Sequence, residues 1–126
     1  MKRILLCLMV ALFATGCLFA KNNDEKMNVM SYNIRYDNSG DKDNQWKFRR
    51  DFAADLVKFH EADVFGAQEV LNNQLNDLLD RLPEYAYVGV GREDGKTKGE
   101  YAPIFYRKDR FSVEKSGNFW LAEDIN

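Results

Sequence analysis

The sequence predicts an α/β domain with a mixed β-sheet, and three patterns predict it. Short apolar runs alternate with amphipathic helical stripes through the first part of the folded region. Alternating, strand-like segments then follow one another without a helix between them. No repeat, low-complexity stretch or internal linker interrupts the series. Composition agrees, since 126 residues that are 45% hydrophobic and 30% charged suit one soluble globular domain rather than a disordered or membrane-spanning chain. A net charge of -2 and a pI near 5.4 exclude a protein that grips polyanions chiefly by bulk electrostatics.

The first twenty residues stand apart from that domain. Met1, Lys2 and Arg3 form a short basic start, and an uninterrupted apolar run extends from Ile4 to Ala14. As a helix this run reaches only roughly 16 Å, about half the hydrocarbon thickness of a bilayer, so residues 1–20 are expected to be a signal peptide and not a permanent span. Two processing routes fit. Lipid attachment at Cys17 is the favoured one, because Gly16-Cys17, the short apolar run and a polar tether over 21–26 resemble the bacterial lipobox, with Ala14 where that pattern usually has Leu. The other is cleavage after Ala20. The chain is therefore expected to be exported to a bacterial cell envelope, lipid-anchored through Cys17 or otherwise periplasmic or secreted. The mature body has no cysteine beyond Cys17 and so no internal disulfide. Loss of Lys2 and Arg3 leaves it mildly acidic.

The folded part, 27–126, opens with a strand over 27–36. Its even positions are apolar almost throughout, while the odd ones turn polar at Ser31, Asn33 and Arg35, as in a central strand whose far end opens into a cleft. "DNSGDKDNQ", 37–45, has turn chemistry throughout and is expected to be a loop. A helix follows with Phe48, Phe52, Leu56 and Phe59 as its buried stripe, widened by Ala53 and Val57. The nearly all-apolar run from Val64 to Gln68 predicts a strand covered on both faces. Leu71, Leu75, Leu78 and Leu82 line a second helix that Pro83 ends. Antiparallel strands are expected over 85–90, 101–106 and 111–121, the first two joined by the glycine-bearing "GREDGKTKGE", expected to be flexible.

A single helical crossover makes the strands 27–36 and 64–68 parallel neighbours, with both C-terminal ends on one sheet edge. Asn33 and Glu69 then converge where open α/β sheets bind ligands. Their side chains are expected about 4 to 8 Å apart, within reach of one phosphate or of a hard divalent cation completed by water. Each residue also has a plain structural reading. Glu69 fits a solvated carboxylate at a helix start, and Asn33 fits a cap on the turn that follows it.

Five ordered blocks bear on that choice: "MSYNIRYDN", "WKFRR", "ADVFGAQEV", "GEYAPIFYRKDRF" and "SGNFWLAE". In this order and spacing they resemble the N-terminal half of the endonuclease/exonuclease/phosphatase (deoxyribonuclease I-like) family, in its secreted bacterial type. The resemblance implies the N-terminal half of a four-layer α/β/β/α sandwich. It implies a metal-dependent phosphoesterase in which water attacks a phosphodiester or phosphomonoester in line. Asn33 matches the family's asparagine at the metal site and phosphate, and Glu69 its carboxylate ligand of the catalytic magnesium, for which manganese can substitute. Nucleic acid, phospholipid and sugar phosphate all remain open as substrates, and no protein partner is indicated.

The family's later motifs, an Asp-x-Asn, an Asn-x-His and a C-terminal Asp-His pair, have no counterpart here, so the resemblance implies an N-terminal portion inactive by itself. His60, the only histidine, is expected roughly 15 to 20 Å from Glu69 at the other sheet edge and to be structural or solvent-facing. Such a half-domain would leave one sheet face without cover. Trp46, Trp120 and Phe119 suit stacking on a sugar or base but suit buried packing better. Glu100 and Tyr101 are possible cleft residues, and Arg35 and Arg107 possible phosphate contacts, each with surface pairing as its alternative. "GREDGKTKG" lacks both the spacing and the following helix of a phosphate-cradling loop. A noncatalytic cell-envelope binding lipoprotein on the same scaffold is the rival reading.

Overall fold

The computed structural model describes residues 26–119; the expected signal peptide over 1–20, Cys17, the expected tether as far as Glu25, and the chain from Trp120 onward lie outside the described residues. The first strand, β1 (Val29–Asn33), is shorter than the alternation suggested. Ile34 still donates its N–H to the Gln68 carbonyl at 3.2 Å, but Arg35 takes a left-handed φ of 57° and the strand cannot continue through it. The polar stretch after it forms short 3-10 turns over Ser39–Asn44, kinked at Lys42.

The helix α1 (Trp46–Phe59) carries the chain over to β2 (Val64–Gln68). The two strands pair in parallel, with Val29 opposite Val64 and Asn33 opposite Gln68. A second helix, α2 (Asn72–Arg81), follows at once, and Leu75, Leu78 and Leu82 are buried beneath it as expected. The strand β3 (Tyr85–Val88) then pairs antiparallel with β4 (Ile104–Arg107), and β4 slots between β2 and β3 to give the order β1-β2-β4-β3. The sheet is mixed, and α1 and α2 share one core with its inner face.

That core centres on Phe65, which stacks on Phe105 with centroids 4.5 Å apart and meets Tyr85 edge-on at 5.5 Å. Ala67, Val57, Ala53 and Ala54 close the space around it. The phenylalanine stripe predicted for α1 is not its buried face. Phe48, Phe52 and Phe59 are largely exposed, while Ala53 and Val57, expected at the stripe's margin, face inward with Trp46 and Ala54. The Trp46 indole N–H donates to Asp77 of α2 at 2.7 Å, which fixes the helix rotation. The small alanines let the helix lie close on its neighbours, an advantage that side-chain size alone does not register.

Other expectations shift as well. β2 alternates buried and half-exposed positions rather than being covered on both faces. On the sheet face away from the helices, Val29 of β1 and Ile104 of β4 are 65% and 49% exposed. No strand forms over 111–119, which after the turn at Arg107 to Phe111 runs exposed. The glycine-bearing loop is a tied structure. Gly91 N–H donates to Lys96 O, Glu93 N–H to Lys98 O and Arg92 N–H to Glu100 O, while Asp94 Oδ1 accepts from the amides of Lys96 and Lys98.

Candidate functional site

The carboxyl ends of β1 and β2 lie side by side, and the residues just past them meet. Asn33 Nδ2 donates to Glu69 Oε1 at 2.8 Å, a direct bond closer than the 4 to 8 Å expected for two groups flanking one ion. The other carboxylate oxygen, Oε2, accepts the Tyr36 backbone N–H at 3.3 Å. Asn33 Oδ1 accepts the Arg35 N–H at 2.8 Å. The same amide therefore caps the turn after β1 and orients the Glu69 carboxylate.

Glu69 does not serve the start of α2. Its carboxylate points back to the β1 turn, and its own backbone is left-handed, with φ 59°. A non-glycine residue in that region is uncommon and persists where surroundings over-determine it, which happens most at functional sites. The Asn33 amide first, then the Tyr36 N–H and the nearby Arg35 charge, hold the Glu69 carboxyl below the usual carboxylate range. It is ionised at neutral pH.

Charge around the pair is organised by Arg35 and Asp41, bound in a two-pronged ion pair at 2.6 Å that keeps the Asp41 carboxyl low. Arg49 reaches from α1 to the carbonyls of Ile34, Arg35 and Asn44, pinning the turn. Gln74 on α2, buried completely, accepts from Asp37 and Leu71 N–H and donates to Arg35 O. Neither Arg49 nor Gln74 stood out in the sequence, because a basic residue on a helix and an amide among leucines read as solvated positions.

A cleft of about 390 Å³ opens beside Glu69, lined by Gln68, Arg92, Glu100, Tyr101 and Phe119 among others. Glu100 and Tyr101 do line it, with Glu100 ion-paired to Arg92 at 3.3 Å and the Tyr101 hydroxyl donating to Asn72 at 3.0 Å. Phe119 is 83% exposed at its rim. The remaining candidates fall away. Trp46 is core, and Arg107 is at the far edge in a two-pronged pair with Asp109. His60 is exposed at the end of α1, edge-on to Phe59, before β2 and so at the sheet edge opposite Glu69. Trp120 lies outside the described residues.

No group of three or more histidine, cysteine, aspartate or glutamate residues suited to a metal occurs among the described residues. A single ionised carboxylate beside an amide still fits magnesium, which commonly takes one or two protein carboxylates and keeps several waters. The described residues do not bring together the three or four nitrogen, sulfur or carboxylate ligands that zinc asks for.

The chain matches no family model. Among solved structures it is similar to an endonuclease/exonuclease/phosphatase from Bacteroides vulgatus at 55% identity and a TM-score of 0.73, covering 76% of this chain and 37% of that one. An endonuclease/exonuclease/phosphatase family protein from Bacteroides thetaiotaomicron matches at 45% identity and a TM-score of 0.75, covering 77% and 36% of the two chains. A mannosyl-6-phosphatase of Bacteroides thetaiotaomicron matches at 45% identity and 0.76, covering 78% and 38%. Among curated proteins, an uncharacterized protein of Acanthamoeba polyphaga mimivirus is 26% identical over 124 residues, which cover 84% of this chain and 18% of that protein. The chain thus spans less than two fifths of each of these relatives.

Proposed function

We propose that this chain, a member of the endonuclease/exonuclease/phosphatase family, contributes the Asn33–Glu69 wall of a magnesium-dependent phosphoesterase site. The observation that carries the reading is the Asn33 to Glu69 bond at the carboxyl edge of two parallel strands, with Glu69 ionised and held in a left-handed backbone. A bound magnesium or manganese ion supplies charge neutralisation for a phosphate ester and acidifies a water. Glu69 supplies that ion's protein carboxylate. Asn33 holds the carboxylate in one orientation, and its amide would be the group beside the ion on the phosphate side.

A small phosphomonoester of sugar type suits the cleft better than a nucleic acid. Its walls mix an exposed aromatic ring, Phe119, with the polar side chains Gln68, Arg92, Glu100 and Asn118, a set that can hydrogen-bond hydroxyl groups. A net charge of -2 gives no basic track for a polyanion. The similarity to a mannosyl-6-phosphatase points the same way. The site belongs with the envelope location that the leader and Cys17 suggest.

The test is metal-dependent phosphate release from hexose 6-phosphates, measured with the longest form of the protein that carries this segment. Glu69→Ala should lose roughly a hundredfold or more of the turnover while the protein stays folded, because it removes a metal ligand and no core volume. Unchanged turnover at saturating magnesium refutes the assignment.

A further inference from the structure

We infer that Gln74 is the positioning residue of this site: its buried amide straps the turn after β1 to the turn after β2 and so sets how Asn33 and Glu69 meet. The inference rests on the reading above for its functional consequence, and on geometry for the strap itself.

Gln74 is 0% exposed, at a position of α2 that shares its inward face with Leu75 and Leu78. A leucine there would extend the core. An amide so placed is costly unless its polar atoms are bonded. Gln74 Oε1 accepts the Leu71 N–H and the Asp37 N–H, both at 3.0 Å, and Nε2 donates to the Arg35 carbonyl at 2.8 Å. One side chain thereby holds residue 71, two past Glu69, against residues 35 and 37, two and four past Asn33.

The two turns need holding. Arg35 and Glu69 both have left-handed φ values, 57° and 59°, and neither is glycine. Each conformation costs free energy that its surroundings must offset. The bonds that report on the site are local to these turns: Arg35 N–H to Asn33 Oδ1, Tyr36 N–H to Glu69 Oε2, and Asn33 Nδ2 to Glu69 Oε1. Asn73, the preceding residue on α2, adds a weaker tie through its amide to Asp37 Oδ2 at 2.9 Å, which lies on the exposed side. With Gln74 gone, the Arg35 carbonyl and the two N–H groups lose their shared partner, and the turns are free to separate.

Amide hydrogen exchange on the full chain tests this directly, with Ala67 as the reference because its N–H bonds Pro103 O inside the sheet. Gln74→Met keeps the volume and removes all three bonds. It should speed exchange at Arg35 and Tyr36 by about tenfold to a hundredfold relative to Ala67, the range expected for one lost buried bond. Gln74→Glu, which keeps an acceptor for Asp37 and Leu71, should fall between the two. In the wild type, manganese should broaden the Asn33 side-chain amide signal, and in Gln74→Met the same broadening should need about ten times more metal. Equal acceleration at Ala67 would reduce Gln74 to an ordinary core residue and overturn the strap, as would a wild type with Arg35 and Tyr36 already unprotected. If the exchange pattern appears but manganese never broadens Asn33, the strap stands and the metal reading fails.

Discussion

Replacing Asp63 with asparagine should lower the melting temperature by roughly 10 °C at neutral pH and lose most of that difference in acid. Asp63 lies just before β2, at the opposite end of the strand from Glu69, and is 3% exposed. One carboxylate oxygen accepts the Asn28 N–H at 2.8 Å, and the other is paired with Arg110. Its backbone continues the same clamp: Asp63 N–H donates to Asn28 O at 2.8 Å, and Asp63 O accepts Arg107 N–H at 3.0 Å. Asparagine keeps an oxygen for Asn28 and leaves the half-buried Arg110 guanidinium without its charge partner. Hydrogen bonds to charged groups contribute about 1.5–3 kcal/mol, and 1 kcal/mol moves the melting point of a small domain by about 4–8 °C.

The pH dependence follows from the direction of the shift. The Asn28 N–H first, then Arg110, hold the Asp63 carboxyl below its ordinary value in the folded chain. A depressed folded-state pKa means the stabilisation is complete above the ordinary carboxylate range and disappears as pH falls through the folded value. Thermal melts of both proteins followed by circular dichroism at pH 7 and pH 2.5 isolate this group, because other carboxylates titrate alike in both. A gap of equal size at the two pH values, or one under about 2 °C at pH 7, would refute the reasoning.

Two further outcomes follow. Gly91→Ala should loosen the 91–99 loop and speed tryptic cleavage after Lys96 and Lys98, since a methyl there would lie 2.3 Å from the Lys98 carbonyl oxygen; unchanged cleavage would show that the loop is not held at Gly91. In a Gram-negative host the protein should fractionate with membranes, and Cys17→Ser should release or mislocalise it, whereas soluble periplasmic wild-type protein would point to cleavage after Ala20.

The parts of the fold legible in the sequence were those set by strong local periodicity. The leucines of α2 and the apolar run of β2 each fixed an element, and a single crossover between β1 and β2 fixed their parallel pairing and the shared edge. Facing was harder. Phe48, Phe52 and Phe59 form the larger stripe on α1, yet the helix buries Ala53, Ala54 and Val57, because close approach to the sheet and the Trp46–Asp77 bond decide its rotation. Neither effect is a property of the α1 sequence alone. The segment 111–119 alternates enough to suggest a strand, but a strand exists only through a neighbour to pair with, and among the described residues it has none.

The site was half legible for a related reason. Asn33 and Glu69 interrupt apolar runs, so they stand out, while Gln74 hides in the expected polar spacing of a helix. The distinction between a structural and a functional residue also loses its force here. The β1–β2 register, held at one end by the Asp63 clamp, places Asn33 opposite Gln68. A slip of one residue would send the Asn33 side chain through to the helix-covered face. At the other end Gln74 and Arg49 hold the turn whose N–H groups bond Asn33 and Glu69. The bonds that stabilise the turn are thus the ones that aim the carboxylate, and a substitution that loosens the first must disorder the second. Loss of metal affinity in Gln74→Met should therefore track the local exchange rate at Tyr36 and not the melting temperature.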